Sequence, residues 1–152
     1  MRRFRQQLSE EACVKVLQTE KRGVLAVLGD DGYPYTVPLD FVYQDGTIFF
    51  HFAREGHKID AVRGCDKASF CVIDQGERKE GDWALWFSSV VCFGRIRVME
   101  DHEAVLAWSR DLSARFGVSP AETEEDIRRN GPRVAGLELT VEHMTGNRVH
   151  EK

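Results

Sequence analysis

The chain has no C-x-x-C pair, no G-x-G-x-x-G, no Walker A sequence and no G-x-S-x-G elbow. These gaps remove a closely spaced cysteine metal site, the Rossmann nicotinamide site, the P-loop and the nucleophile elbow. There is no basic excess either. The formal net charge is -4, which argues against a nucleic-acid partner, whose binding would need a dense basic patch. No apolar run reaches the length of a membrane span. The basic start MRRFRQQLSEE is not followed by an apolar stretch, so no signal peptide is expected and the default compartment is the cytoplasm. Cys13, Cys65, Cys71 and Cys92 are too scattered to converge on a metal. Each lies in an apolar stretch, so buried, reduced thiols are expected.

What is present fits one soluble domain. A length of 152 residues supports a single core, and 42% hydrophobic with 30% charged residues is a globular composition. The whole chain, 1–152, is read as one domain without repeats or linkers. Ser9 is a candidate N-cap, with Glu10 and Glu11 in the first turn and Cys13, Val16 and Leu17 at helical spacing; Gly23 is expected to end that helix.

From Gly23 onward the pattern becomes strand-like. Val24 to Leu28 is an apolar run, and Asp31-Gly32 a hairpin signal. Tyr33 to Tyr43 is rich in β-branched and aromatic residues, but Pro34 and Pro38 cannot donate to a ladder, so that strand belongs at an edge or at a bulge. Asp45-Gly46 is a second turn and Thr47 to Ala53 the next strand. A short helix is expected near residues 57–63, with Ile59 and Val62 inward, then a strand from Ala68 to Ile73 and a polar loop from Gln75 to Asp82. Trp83 to Met99 reads as a long strand bent at Gly94. Asp101 to Phe116 is helical, stopped by Gly117. Thr123 to Asn130 reads as a short polar helix and Val134 to Val141 as the last strand. Short antiparallel strands with helices outside them indicate a mainly β fold, a β-barrel with flanking helices.

Particular residues go further than the pattern. Gly32-Tyr33-Pro34-Tyr35-Thr36-Val37-Pro38-Leu39-Asp40-Phe41-Val42-Tyr43 resembles the pyridoxamine 5'-phosphate oxidase-like flavoproteins, and within them the nitroimidazole-resistance branch. Ile48-Phe49-Phe50-His51-Phe52-Ala53 with Glu55-Gly56-His57-Lys58-Ile59-Asp60-Ala61 fits the same branch, as do Ser88 to Arg95, Arg2-Arg3 and Met144 to Asn147. The resemblance implies a six-stranded antiparallel Greek-key split β-barrel that binds FMN at a homodimer interface. It implies that Thr36, Val37, Pro38 and Leu39 lie along the flavin ring. His51, Phe52 and Ala53 would stand near the ribityl chain and phosphate, and His57 and Lys58 would hold that phosphate. Ser88 and Ser89 would supply a polar contact from the long strand.

A phosphate dianion needs charge-assisted donors, which Lys58 at a helix start provides. His57 stands where the family has Arg and is charged only below its pKa, so Arg54 or Arg63 is a candidate to compensate. His51 is the candidate proton donor, against the alternative of a satisfied core histidine. Ser88 and Ser89 equally fit plain strand polarity. Trp83 and Trp86 fit core packing or, alternatively, a pocket wall.

The function implied is FMN-dependent reduction of a small acceptor, such as a nitroaromatic, with electrons from a reduced nicotinamide. The alternative is a flavin or haem carrier on the same fold. The tail Asn147 to Lys152 does not reproduce the substrate-phosphate motif of true pyridoxamine-phosphate oxidases, so that activity is not expected.

Overall fold

A computed structural model of the chain describes residues 6–53, 56–81 and 83–150. Four helices and eight strands follow one another as α1 (Glu10–Thr19), β1 (Arg22–Leu28), β2 (Pro34–Asp40), β3 (Val42–Gln44), β4 (Thr47–Ala53), α2 (His57–Gly64), β5 (Lys67–Ile73), β6 (Glu77–Arg78), β7 (Leu85–Val98), α3 (His102–Arg115), α4 (Pro120–Asn130) and β8 (Val134–His150). All the strands join one antiparallel sheet in the order β2-β1-β5-β7-β8-β4-β3, with β6 added beside β7. The mainly β reading holds. The count of six strands is corrected to eight among the described residues, because Tyr33 to Tyr43 divides into β2 and β3 and the polar loop contains the two-residue β6.

The shape follows from the connectivity. β2 and β3 lie at opposite ends of the sheet path, yet only Phe41 separates them in sequence. Peptide geometry leaves no room for a long excursion, so the sheet must curl until its ends meet. The result is a barrel whose gap is bridged by the chain rather than by a ladder. Phe41 is fully buried at that corner, edge-on to Phe70, which in turn meets Phe50; both ring pairs are 4.9 Å apart at their centroids. Leu25, Val27, Ile48, Val72, Val90, Cys92, Ile96, Leu137 and Leu139 complete the inner layer.

Two helices plug the barrel. α1 contributes Cys13 and Leu17 at one end; α2 contributes Ile59, Ala61 and Val62 at the other. Ser9 caps α1 as expected, its side chain accepting from the Ala12 amide at 3.2 Å. Gly23 does not end that helix. It lies within β1, where an added Cβ would come 2.4 Å from the Phe70 ring. The end is instead held from outside: the Arg115 guanidinium, lying over the Phe41 ring, donates to the Leu17 carbonyl at 2.8 Å and to the Glu20 carbonyl. α3 covers the outer face of β4, with Phe49 stacked on Trp108. α4 begins earlier than expected, at Pro120, because Ser119 and Glu122 form a capping box.

Cys13 and Cys92 are buried, as expected; Cys65 and Cys71 are only partly so. Burial, reinforced by Cys13 and Cys71, pushes the Cys92 thiol up to about 12, which keeps it unreactive. β8 runs nine residues past the expected end, since its second half pairs with β7 from Phe93 back to Trp86. The bend at Gly94 is a register shift between Phe93 and Gly94. There an added Cβ would lie 1.9 Å from the Thr140 carbonyl oxygen. Gly94→Ala should therefore cost about 3 kcal/mol, because only backbone movement relieves that overlap. Urea unfolding of the two proteins checks this; equal midpoints would refute it.

Candidate functional site

The site begins with a strand edge that the sequence keeps open. In the β1–β2 hairpin the Gly29 amide donates to the Tyr33 carbonyl at 2.8 Å, and the Phe41 amide to the Lys21 carbonyl at 3.2 Å. Those two bonds fix the alternation. Tyr35, Val37 and Leu39 are bonded to β1, while Pro34, Thr36 and Pro38 turn their backbone groups away from it. Both prolines thus fall where a missing N–H costs no ladder bond, which is why β2 tolerates them and ends the sheet. The open edge offers the Thr36 amide and the carbonyls of Pro34, Thr36 and Pro38. Over seven residues it runs about 20 Å.

Across the gap stands β4. β3 pairs only with Thr47 to Phe49, so the run from Phe50 to Ala53 has no strand on that side among the described residues. The start of α2 straddles the opening. His57 touches the β2 side, its ring edge-on to Tyr35 at 4.9 Å. Lys58 touches the β4 side, its ammonium 5.6 Å from the centre of the Phe52 ring. No side chain caps this helix, which starts from Gly56 at φ 136°. A helix start without a side-chain cap and an ammonium therefore share one corner, an arrangement suited to an anion.

The expected residues divide among three places. Thr36, Val37, Pro38 and Leu39 form the edge and its inner side. His57, Lys58 and the inward-facing Phe52 form the corner beside it; Ala53 is the last residue of β4, opposite Val134. His51 points the other way, out from the barrel. Its ring is exposed to solvent, yet crowded enough that desolvation lowers its pKa below the usual imidazole value; Asp40 and Asp126 pull upward and do not prevail. At neutral pH it is therefore an uncharged imidazole, better suited to accept a proton than to deliver one.

Ser88 and Ser89 lie elsewhere. Ser89 is opposite Ile73, at the far end of the sheet from His57, and β7 is three strands from β2, about 14 Å along the sheet. Neighbouring side chains alternate, so Ser89 faces outward while Ser88 is buried beneath α1, its amide bonded to Asp74 at 2.8 Å. The single chain therefore does not unite the serines with the corner. Trp86 stacks on His150 at this same distant end, and Trp83 is 71% exposed. Arg63 lies at the opposite end of α2 from Lys58; Arg54 and the Arg2-Arg3 pair fall outside the described residues.

Reading residue by residue missed the outer face. Val24, Leu28, Ile73 and Phe93 are 38–57% exposed, and the register aligns Pro38, Val24, Cys71 and Val91 in one row and Thr36, Ala26, Ser69 and Phe93 in the next. Apolar residues at every second position on three adjacent strands were the available signal. Among the described residues no His, Cys, Asp and Glu group is arranged to hold a metal, and no helix is long and apolar enough to cross a membrane.

Comparison with known proteins agrees with the fold. The model of the family described as pyridoxamine 5'-phosphate oxidase matches residues 9–148. No curated protein matches the chain. Among solved structures, a protein assigned to 5-nitroimidazole antibiotic resistance from Bacteroides thetaiotaomicron superposes with a TM-score of 0.78 at 17% identity, over 95% of this chain and 87% of that one. An FAD-binding protein from Mesorhizobium loti gives 0.68 at 23% identity, over 94% and 96%. An FAD- and haem-binding protein from Mycobacterium smegmatis gives 0.74 at 20%, over 93% and 72%.

The His51 environment makes a direct forecast. In an NMR titration its imidazole should titrate below the ordinary value of about 6.5. The unfolded chain takes up that proton at higher pH than the folded one, so this residue subtracts stability as pH falls through the ordinary imidazole range. His51→Gln should flatten that part of the stability profile; an unchanged profile with a normally titrating His51 would refute the assignment.

Proposed function

The chain belongs to the pyridoxamine 5'-phosphate oxidase family, and from that premise we propose that it is an FMN-binding oxidoreductase that acts as a homodimer. The observation that carries the reading is the corner where α2 begins. Its uncapped amides and Lys58 close one end of an open, proline-guarded strand edge. A planar heterocycle with N–H and carbonyl groups on its rim needs matching backbone groups, and the edge from Pro34 to Pro38 supplies both kinds. A phosphate at the end of a polyol chain needs a cationic donor, and Lys58 supplies one. Several similar structures are of proteins described as binding FAD, which supports a flavin.

Bound FMN would supply the redox chemistry, between a reduced nicotinamide and a small acceptor such as a nitroaromatic. This chain's residues bind and orient. The Thr36 amide and the flanking carbonyls hold the ring rim. Val37 and Leu39 keep the inner side of the edge dry. Lys58 anchors the phosphate, and a neutral His51 accepts or relays a proton at the outer mouth. The exposed apolar face of β1, β5 and β7 is the surface for the second copy, and that copy brings its own Ser89 toward the site.

The purified protein should show flavin absorbance that a reduced nicotinamide bleaches and a nitroaromatic restores. Flavin bands indifferent to the nicotinamide would support a carrier instead, and a Soret band on haem addition a haem protein. Lys58→Met should weaken FMN binding by about ten- to a hundredfold, the loss of one charge-assisted contact. Sedimentation should give a dimer at micromolar concentration; a flavin-loaded monomer would sink the two-copy site.

A further inference from the structure

The anion corner contains its own opponents. His57, the first residue of α2, leans away from Lys58 toward the β1–β2 hairpin. Its Nδ1 lies 3.8 Å from the Asp30 Oδ1, and its ring meets Tyr35 edge-on. The hairpin that carries Asp30 is itself tight: a Cβ added at Gly29 would lie 2.8 Å from the Asp31 Oδ1 and 3.0 Å from the Tyr33 carbonyl oxygen, and in ordinary contact with the His57 ring. Asp31, the other hairpin carboxylate, is turned into its own loop, where it accepts from the Tyr33 amide at 3.0 Å. On α2 itself, Lys58 adds a positive charge and Asp60, in the first turn, a negative one. Among the described residues, the charged and ionisable groups around a bound phosphate would thus be Lys58 and His57 against Asp30 and Asp60. Asp30 is the one placed to compete directly, because it engages the same imidazole.

We propose that Asp30 sets the affinity of this corner for a phosphate, competing with it for His57, and so narrows the preference for a phosphorylated flavin over riboflavin. The proposal rests on the flavin reading above. A dianion that approached His57 would meet an imidazole already turned toward a carboxylate, and would feel that carboxylate across it. The competition is exposed: the side chains of His57 and Asp30 retain 45% and 69% of their surface. Its size is therefore that of a surface charge interaction, and salt should screen it. The flavin would be held by ring contacts and Lys58, with the phosphate grip weakened by that modest amount.

The test compares FMN and riboflavin binding, by quenching of flavin fluorescence, in the wild-type protein and in Asp30→Asn. The substitution keeps the loop's size and removes only the charge. It should tighten FMN by about two- to fivefold at low salt. That gain should vanish near 1 M salt, and riboflavin affinity should not change. FMN binding unaltered or weakened by Asp30→Asn would overturn the proposal. So would equal shifts for both flavins, which would mean a structural effect on the hairpin. If neither flavin binds the wild-type protein, the flavin reading falls and takes this one with it. If both bind and only Asp30→Asn is silent, the flavin reading stands and the role of Asp30 is lost.

Discussion

Everything about this molecule depends on one residue's worth of chain. β2 and β3 are the two ends of the sheet, and Phe41 alone connects them. A flat sheet of this order would hold those ends many strand widths apart, so covalent connectivity compels closure. The aromatic trio of Phe41, Phe50 and Phe70 then fills the volume that closure creates. Gly23 and Gly94 are where the backbone had to give way: one under the Phe70 ring, the other against the carbonyl of Thr140.

Closure by a covalent link differs from closure by a ladder. A ladder would have consumed the backbone groups of β2 and of the second half of β4. Here Pro34 and Pro38 prevent a strand from adding to β2 in register, since a neighbour would find only the Thr36 amide between them. The barrel therefore keeps a lengthwise opening with polar backbone on one lip and the start of α2 at its end. The inner layer and the two plugging helices hold the fold, while the opening stays available because its prolines contribute nothing to the sheet on that side.

Much of this was legible in the sequence where local rules act alone. The two hairpin turns, the span of β4, the Ser9 cap and the bend at Gly94 all follow from residue chemistry, and Asp45 and Gly46 adopt the positive φ values their turn requires. Gly23 was misread because a glycine after an amphipathic stretch signals a helix end equally well when its real reason is a distant ring. The second half of β8 carries Glu142, His143 and Asn147 and has no apolar alternation; only β7 beside it makes it a strand. The α4 start was readable in Ser119-Pro120 and Glu122, a capping box overlooked between two polar stretches. For the site, the edge and the Lys58 corner were legible from local chemistry joined to the family resemblance. The orientation of His51 and the separation of Ser89 from His57 were not, since both depend on which way a curled sheet faces.

That separation has a consequence for assembly. Along one sheet, the row that ends at Pro34, Leu28 and Lys67 is the row of the anion corner, and the row with Arg22 and Ile73 is the row of Ser89. No bending of a single barrel brings Ser89 across two intervening strands to the β2 edge. A second copy set against the exposed faces of β1, β5 and β7 would change the geometry, because a two-fold axis lying in that interface across the strands would lay the far row of one copy over the near row of the other. The same contact would cover Val24, Ile73 and Phe93, which a solitary chain leaves in water. On the proposed reading, then, the uncovered apolar face and the divided site are one problem with one solution, and the flavin would rest where that solution places two half-sites together.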